Sequence, residues 1–271
     1  MRTLLILGLA ACTGAGTASP PTPNHPAAGA PLVLELIRRP AVGTRWHSLE
    51  TYDTQTVENG TARGKRHMLL ETDVVVREQT TDHEDLDVDV IRHEVEINGR
   101  AVPGLQPVHA KLAVTRSKGT CTVTRDGTTL DAEEMSALTS VFDCNLPSDG
   151  EQDDNALYNT RTPHRIGERW SMNQGMLKSM LGRFDAAEVV KADATVERAP
   201  AVDGVEGVSL SSGFELKLSN GATQIDAIAT TKTFLPDDPK LPILRHEHVM
   251  ETKAGAATGT YKTSRTRTLV R

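Results

Sequence analysis

Five Asn-Gly or Asp-Gly dipeptides divide this 271-residue chain into short extended segments, and they constrain its fold more than any other feature. They are Asn59-Gly60, Asn98-Gly99, Asp126-Gly127, Asp203-Gly204 and Asn220-Gly221. Such dipeptides readily adopt the positive φ angles that tight β-hairpins require. The sequence therefore predicts a meander of antiparallel strands.

The segments between these turns alternate as strands with one buried face. One face of a predicted strand carries Met68, Leu70, Thr72, Val74 and Val76. In "DLDVDVIRHEVEI" the apolar positions change phase half-way along the segment. An extra residue in one strand restores the alternation, so we predict a β-bulge near Val90-Ile91.

Two segments break the strand pattern. "TTLDAEEMSALTSVFDC" has apolar residues at helical spacing, and Asp131 followed by Glu134 resembles a capping box, so we predict a helix over about 131–143. "NQGMLKSMLG" predicts a weaker helical turn, because its two glycines disfavour a helix. "PSDGEQDDN" is expected to be an acidic exposed loop.

An internal repeat involves the only two tryptophans: "VGTRW" at 42–46 recurs as "IGERW" at 166–170. This predicts a β-rich body over 32–271 with two similar halves, 32–130 and 164–271, on either side of the helix and acidic loop at 131–163. Each tryptophan is expected to pack at the base of the sheet with its indole N–H hydrogen-bonded nearby.

The N-terminus has the pattern of an export signal. Arg2 precedes an apolar segment at 3–9 that is too short to cross a bilayer as a helix, so residues 1–11 are predicted to be a signal peptide. Leu9-Ala10-Ala11-Cys12 resembles the lipobox of bacterial lipoprotein precursors, in which the signal is cut before the cysteine and the thiol is acylated. Residues 12–31 then form a lipidated cysteine and a disordered Pro- and Ala-rich tether. The expected location is the bacterial cell envelope, at the outer membrane.

Assigning Cys12 to a lipid leaves two further cysteines, Cys121 and Cys144. A disulfide between them would close a loop of about 24 residues and stabilise the fold by ~3 kcal/mol. Two buried free thiols are the alternative, since sequence does not determine pairing.

Several short motifs together resemble a group of uncharacterised bacterial envelope lipoproteins with a β-rich body. They are Gly43 to Trp46, Asp126-Gly127, Leu146-Pro147 and Gly167 to Trp170. The resemblance implies strongly curved antiparallel sheets, arranged as an open half-barrel with a helix against the concave face, as in lipoprotein carriers. It implies no known activity.

Histidines supply the main candidates for chemistry. His246 and His248 share a strand face with apolar neighbours, and His93 lies on a similar face, so the three could bind a metal if their strands meet. No His-Glu-x-x-His, Cys-x-x-Cys or Gly-x-Ser-x-Gly motif is present. Asp85, Asp87 and Asp89 alternate on one face, which is more typical of a solvated strand than of a calcium loop.

Composition restricts the partners. Net charge is −6, and the basic residues cluster only in "YKTSRTRTLVR", which is expected to form the solvated face of a last strand, so nucleic-acid binding is excluded. Aromatic residues make up only 3%. We therefore expect a non-enzymatic, cofactor-free binding or structural module, anchored to a membrane and able to hold an apolar ligand such as an acyl chain. The alternatives are a metal-dependent hydrolase using His93, His246 and His248, and a scaffold for another envelope protein.

Overall fold

The fold is a single open antiparallel sheet. The structure, a computed structural model, describes residues 31–80, 83–102, 111–117, 120–130, 154–182 and 184–270. Within these residues thirteen strands form one sheet that is not closed into a barrel, which confirms the predicted mainly β, antiparallel fold class. The strands are β1 (Arg45–Glu58), β2 (Thr61–Gln79), β3 (His83–Ile97), β4 (Arg100–Ala101), β5 (Lys111–Ser117), β6 (Thr120–Arg125), β7 (Thr128–Thr129), β8 (Arg169–Ser171), β9 (Ala186–Arg198), β10 (Gly207–Asn220), β11 (Thr223–Pro236), β12 (Arg245–Ala254) and β13 (Ala257–Leu269).

The first and last strands meet at the centre of the sheet. The order across it is β7-β6-β5-β3-β2-β1-β13-β12-β11-β10-β9-β8, and β4 pairs with β3. Strands β1 and β13 pair along their length, from Trp46 opposite Leu269 to Glu58 opposite Ala257. The N-terminal and C-terminal halves of the chain are therefore joined through this pair, and β13 has a neighbour on both sides.

Four of the five predicted turns have both residues at positive φ: Asn59-Gly60, Asn98-Gly99, Asp126-Gly127 and Asp203-Gly204. The fifth is displaced by one residue, because Asn220 pairs with Thr223 and the turn is Gly221-Ala222. This turn needs positive φ only at its first position, where Gly221 has φ 61°.

The predicted bulge is present between β2 and β3. Glu71 pairs with Arg92 while Thr72 pairs with Val90, so Ile91 is the extra residue. The bulge allows apolar side chains on both sides of it to face the same way.

The two Gly-x-x-Trp openings have the same local structure. In Gly43–Trp46 and Gly167–Trp170 the glycine has φ of 85° and 82°, which a residue with a Cβ atom rarely adopts. Each glycine amide donates to a valine carbonyl, that of Val76 at 2.9 Å and that of Val196 at 2.7 Å. The two halves of the chain therefore begin with the same turn, hydrogen-bonded to the same kind of strand position.

The tryptophans themselves are structural. Trp46 is buried in the core. Trp170 donates its indole N–H to the carbonyl of Tyr158 at 2.7 Å, and its ring stacks on His164 with centroids 3.7 Å apart. The predicted packing role is confirmed for both rings, and the predicted N–H bond for Trp170.

One face of the sheet, called here the inner face, carries two large apolar clusters. The N-terminal cluster comprises Trp46, Met68, Leu70, Val74, Val76, Leu86, Val88, Val90, Val95, Leu112, Val114, Val123 and Leu130. The C-terminal cluster joins buried residues of β9 to β12 to Leu34, Leu36, Leu157, Tyr158, Met172, Leu177 and Leu181. Residues from outside the sheet thus cover the C-terminal cluster.

Two short helices occur within the described residues, α1 (Asp154–Leu157) and α2 (Gln174–Met180). Helix α2 confirms the predicted helical turn, and the side chain of its cap residue Asn173 accepts a hydrogen bond from the amide N–H of Met176 at 3.0 Å. The predicted helix at 131–143 lies outside the described residues. The prediction of an exposed loop is wrong at the C-terminal end of that segment, where Asp154 and Asn155 are buried. The reason is a contact with the start of the body, since Oδ1 of Asn155 accepts a hydrogen bond from the amide N–H of Leu36 at 2.8 Å.

Candidate functional site

The three histidines considered as metal ligands do not come together. His246 and His248 lie on β12, and Nδ1 of each is within hydrogen-bond distance of a threonine hydroxyl on β11, at 3.1 Å and 2.9 Å respectively. His93 lies on β3, and strands β2, β1 and β13 stand between it and β12. With a strand spacing of about 4.8 Å, His93 and His246 are roughly 19 Å apart along the sheet.

Only one group within the described part of the chain brings three metal-ligating side chains within 4.8 Å of one another, namely Glu78, His83 and Asp85. It lies on β2 and β3 and contains none of the three candidate histidines. Asp87 and Asp89 form ion pairs with Arg77 and Lys111, and Asp85 lies 3.1 Å from Nε2 of His83. This surface is therefore an ion-paired strand face, as its alternating charges predict.

Several core positions that are apolar in the N-terminal half hold polar side chains in the C-terminal half. The two halves can be aligned by following the strand pairing outward from the two Gly-x-x-Trp turns. In this alignment β3 corresponds to β10, β5 to β11 and β6 to β12. The positions of Val88, Leu112, Val114 and Val123 in the first half are taken by Ser212, Thr231, Thr233 and His246 in the second. The four apolar residues are all fully buried. These four positions are therefore apolar in the N-terminal half and polar in the C-terminal half, whereas Thr72 and Ala192 show the reverse.

These polar positions adjoin a row of contacts across the middle of the inner face. The row, called here the central seam, consists of Arg66, Tyr52, Tyr261, His248 and Thr231, one residue from each of five neighbouring strands. The Arg66 guanidinium carbon lies 5.7 Å from the Tyr52 ring centre, and the two tyrosine rings meet edge to face at 5.1 Å. The Tyr261 ring then lies 5.6 Å from that of His248, whose Nδ1 contacts the Thr231 hydroxyl.

The central seam connects the two apolar clusters. Tyr52 packs against the N-terminal cluster and Tyr261 against the C-terminal cluster. Burial of the phenol raises the pKa of both tyrosines, and burial lowers the pKa of His248. The tyrosines and His248 are therefore neutral at pH 7, and Arg66 carries the only charge of the seam.

A second arginine at the centre of the sheet is neutralised. Nε of Arg265 lies 3.0 Å from a carboxylate oxygen of Glu50, and the two side chains are only 15% and 14% exposed. Arg267 lies over the ring of Trp46 at 5.3 Å. The prediction of a solvated basic face is thus wrong for Arg265 and Arg267, because β13 is a central strand and these side chains share the face of the core.

Sequence reasoning missed Glu50, Tyr52, Arg66 and Tyr261. A signal was present: Glu50 and Tyr52 continue the alternation that begins at Trp46, and Arg66 continues the one that includes Met68. Following the period of two past the apolar residues places all three on the inner face.

Cys12, the signal peptide at 1–11 and Cys144 lie outside the described residues. Acylation of Cys12 and the pairing of Cys121 with Cys144 therefore remain predictions. No helix among the described residues has the length and apolar character needed to cross a membrane.

No protein-family model matches this chain, and no curated protein sequence matches it. A structure concerning lipid–protein interactions in lipovitellin has 7% identity and a TM-score of 0.43, covering 85% of this chain and 25% of that chain. DynF from the dynemicin biosynthesis pathway of Micromonospora chersina has 8% identity and a TM-score of 0.25, with coverage of 95% and 93%. This chain spans about a quarter of the lipovitellin chain. Both TM-scores are below 0.5, so neither similarity indicates a shared function.

Proposed function

We propose that this chain is a lipid-anchored, non-enzymatic binding module of the bacterial cell envelope that holds an acyl chain on the inner face of its sheet. The anchor is the acylated Cys12, and the tether at 12–31 connects it to the sheet. Lipid attachment is supported by the lipobox-like Leu9-Ala10-Ala11-Cys12 and the short apolar segment before it, and we propose the outer membrane as the site of attachment.

The observation that carries the binding proposal is the junction between the N-terminal cluster and the central seam. Apart from Trp46, the N-terminal cluster is entirely aliphatic or methionine. It ends at Met68, two residues from Arg66 and opposite Tyr52. An acyl chain placed on the cluster would gain about 0.8 kcal/mol for each buried methylene, while its polar end would remain at the seam.

Among the described residues, more of the chain outside the sheet packs on the C-terminal cluster than on the N-terminal cluster. The protein itself covers the C-terminal cluster, with Leu34, Leu36, α1 and α2. Among the described residues that lie outside the strands, Val102 and Leu130 pack on the N-terminal cluster. Because the side chains of the N-terminal cluster are buried, the ligand enters only when this face opens, and we expect association slower than a diffusional encounter.

Lipid that co-purifies with the protein tests the binding proposal. We expect native mass spectrometry of protein extracted from its own membrane to show a bound acyl-containing species. Leu86 and Leu210 occupy equivalent positions in the two halves and are both buried, so they provide a matched pair. Leu86→Phe should lower the bound fraction at least fivefold, and Leu210→Phe should not. Equal occupancy in both variants, or no bound species in the wild type, contradicts the proposal.

The anchor is tested separately. Cys12→Ala should abolish labelling by a radioactive fatty acid and move the protein from the outer-membrane fraction of a sucrose gradient to the aqueous fraction. Cys121→Ala should leave both labelling and fractionation unchanged. Labelling that persists in Cys12→Ala contradicts the proposed anchor.

A further inference from the structure

Arg66 is an arginine on the inner face that has no anionic partner. Its position on β2 is opposite Thr54 on one side and Ile97 on the other. Its guanidinium lies over the Tyr52 ring at 5.7 Å, and its Nε is shielded from solvent without a hydrogen-bond partner in the described part of the chain. No carboxylate of the described residues lies within ion-pair distance of it.

Other arginines of the sheet show that carboxylates are not in short supply. The chain has 36 acidic and 30 basic residues. Arg63, three residues away on the same strand, pairs with Glu58 at 3.0 Å. Arg265, on the same face, pairs with Glu50. Arg66 therefore lacks the carboxylate partner that Arg63 and Arg265 have.

A second polar side chain on the inner face, that of His93, also lacks a hydrogen-bond partner among the described residues. His93 is 1% exposed, and neither of its ring nitrogens has a hydrogen-bond partner among the described residues. Burial lowers the pKa of His93, and the charge of Arg66 lowers it further, so the imidazole is neutral and can donate one N–H. Arg66, His93 and Tyr52 are thus hydrogen-bond donors on the inner face, and the inner-face carboxylate of Glu50, opposite Leu70, is already paired with Arg265.

We propose that Arg66 binds the anionic end group, a carboxylate or a phosphate, of the acyl ligand. This inference rests on the proposed function, since it assigns the class of that same ligand as an acidic amphiphile. From Arg66 the inner face of β2 continues through Met68, Leu70 and Val74, a distance of about 26 Å for eight residues. An acidic head at Arg66 therefore leaves the chain lying on the N-terminal cluster.

Three probes with the same eighteen-carbon chain length, an approximate match to this surface, test the assignment: oleate, oleyl alcohol and oleoyl lysophosphatidate. Each is titrated by calorimetry into the full-length protein after removal of bound lipid. The wild type should bind at least one of the two acids tenfold or more tighter than the alcohol. Arg66→Gln should remove this preference while leaving the affinity for the alcohol within twofold. Arg66→Lys should retain part of it, and Arg63→Gln all of it.

The outcomes separate the two proposals. If none of the probes binds, the proposed function fails and the assignment fails with it. If acids and alcohol bind equally in the wild type, or if Arg66→Gln keeps the preference, the acyl site stands and the role of Arg66 is wrong. A thermal melt of Arg66→Gln verifies its folding. If that variant does not fold, the salt dependence of oleate binding by the wild type decides, because a charge-assisted contact weakens as salt increases.

Discussion

Replacement of His93 by leucine tests whether a buried polar side chain destabilises this sheet. His93 is 1% exposed and makes no hydrogen bond with the described residues through either ring nitrogen. A buried polar group without a partner costs about 1–3 kcal/mol, and leucine has a similar volume without that cost. We expect His93→Leu to raise the free energy of unfolding by about 1–3 kcal/mol at pH 7.5.

The effect should grow as the pH falls. Burial and the charge of Arg66 hold the pKa of His93 below its usual 6.5 in the folded chain. Below pH 6.5 the unfolded chain therefore binds a proton that the folded chain does not, so acid favours unfolding. This linkage removes up to about 1.4 kcal/mol of stability per pH unit between the unfolded-state and folded-state pKa values. Leucine abolishes this contribution.

Urea-induced unfolding, followed by far-ultraviolet circular dichroism at pH 7.5 and 5.5, measures both effects. In thermal melts the gain at pH 7.5 corresponds to roughly 2–4 °C per kcal/mol for a chain of this size. His67→Leu is the control, because Nδ1 of His67 already contacts a carboxylate oxygen of Asp53 at 2.8 Å and its loss should bring no gain. A His93→Leu variant less stable than the wild type at both pH values would refute the reasoning.

Three further substitutions have defined outcomes. Gly207→Ala places a Cβ atom 2.3 Å from a backbone oxygen of the neighbouring strand and should destabilise by ~3 kcal/mol or more in urea melts, whereas Gly213→Ala, whose nearest contact is 3.7 Å, should change stability little. Thr231→Val leaves Nδ1 of the buried His248 without its partner and should cost about 1–2 kcal/mol in the same assay. Asn155→Ala leaves a buried amide unbonded and should cost about 1–3 kcal/mol, with faster hydrogen exchange at Leu36 as its marker.

Local features of this fold were predictable because they depend on neighbouring residues. Asn-Gly and Asp-Gly dipeptides specify tight turns through their backbone angles, and the phase change in β3 predicts the bulge at Ile91. The inward direction of His246 and His248 likewise follows from the period of two along β12.

The strand order could not be predicted in the same way. Pairing of β1 with β13 joins residues 199 to 223 positions apart, and no local pattern encodes it. For that reason the sequence did not reveal that His93 and His246 are separated by three strands, or that Arg265 meets Glu50. The central seam depends on the same pairing, since Tyr52 and Tyr261 lie on these two strands.

The pairing of β1 with β13 also determines when the protein can finish folding. A ribosome makes β1 first and β13 last, so one edge of β1 has no partner until almost the whole chain has been synthesised. Contacts this distant in sequence are slow to form, and an unpaired edge can recruit a strand from another molecule in the meantime. Until β13 pairs with it, β1 is therefore the strand through which the N-terminal half can aggregate.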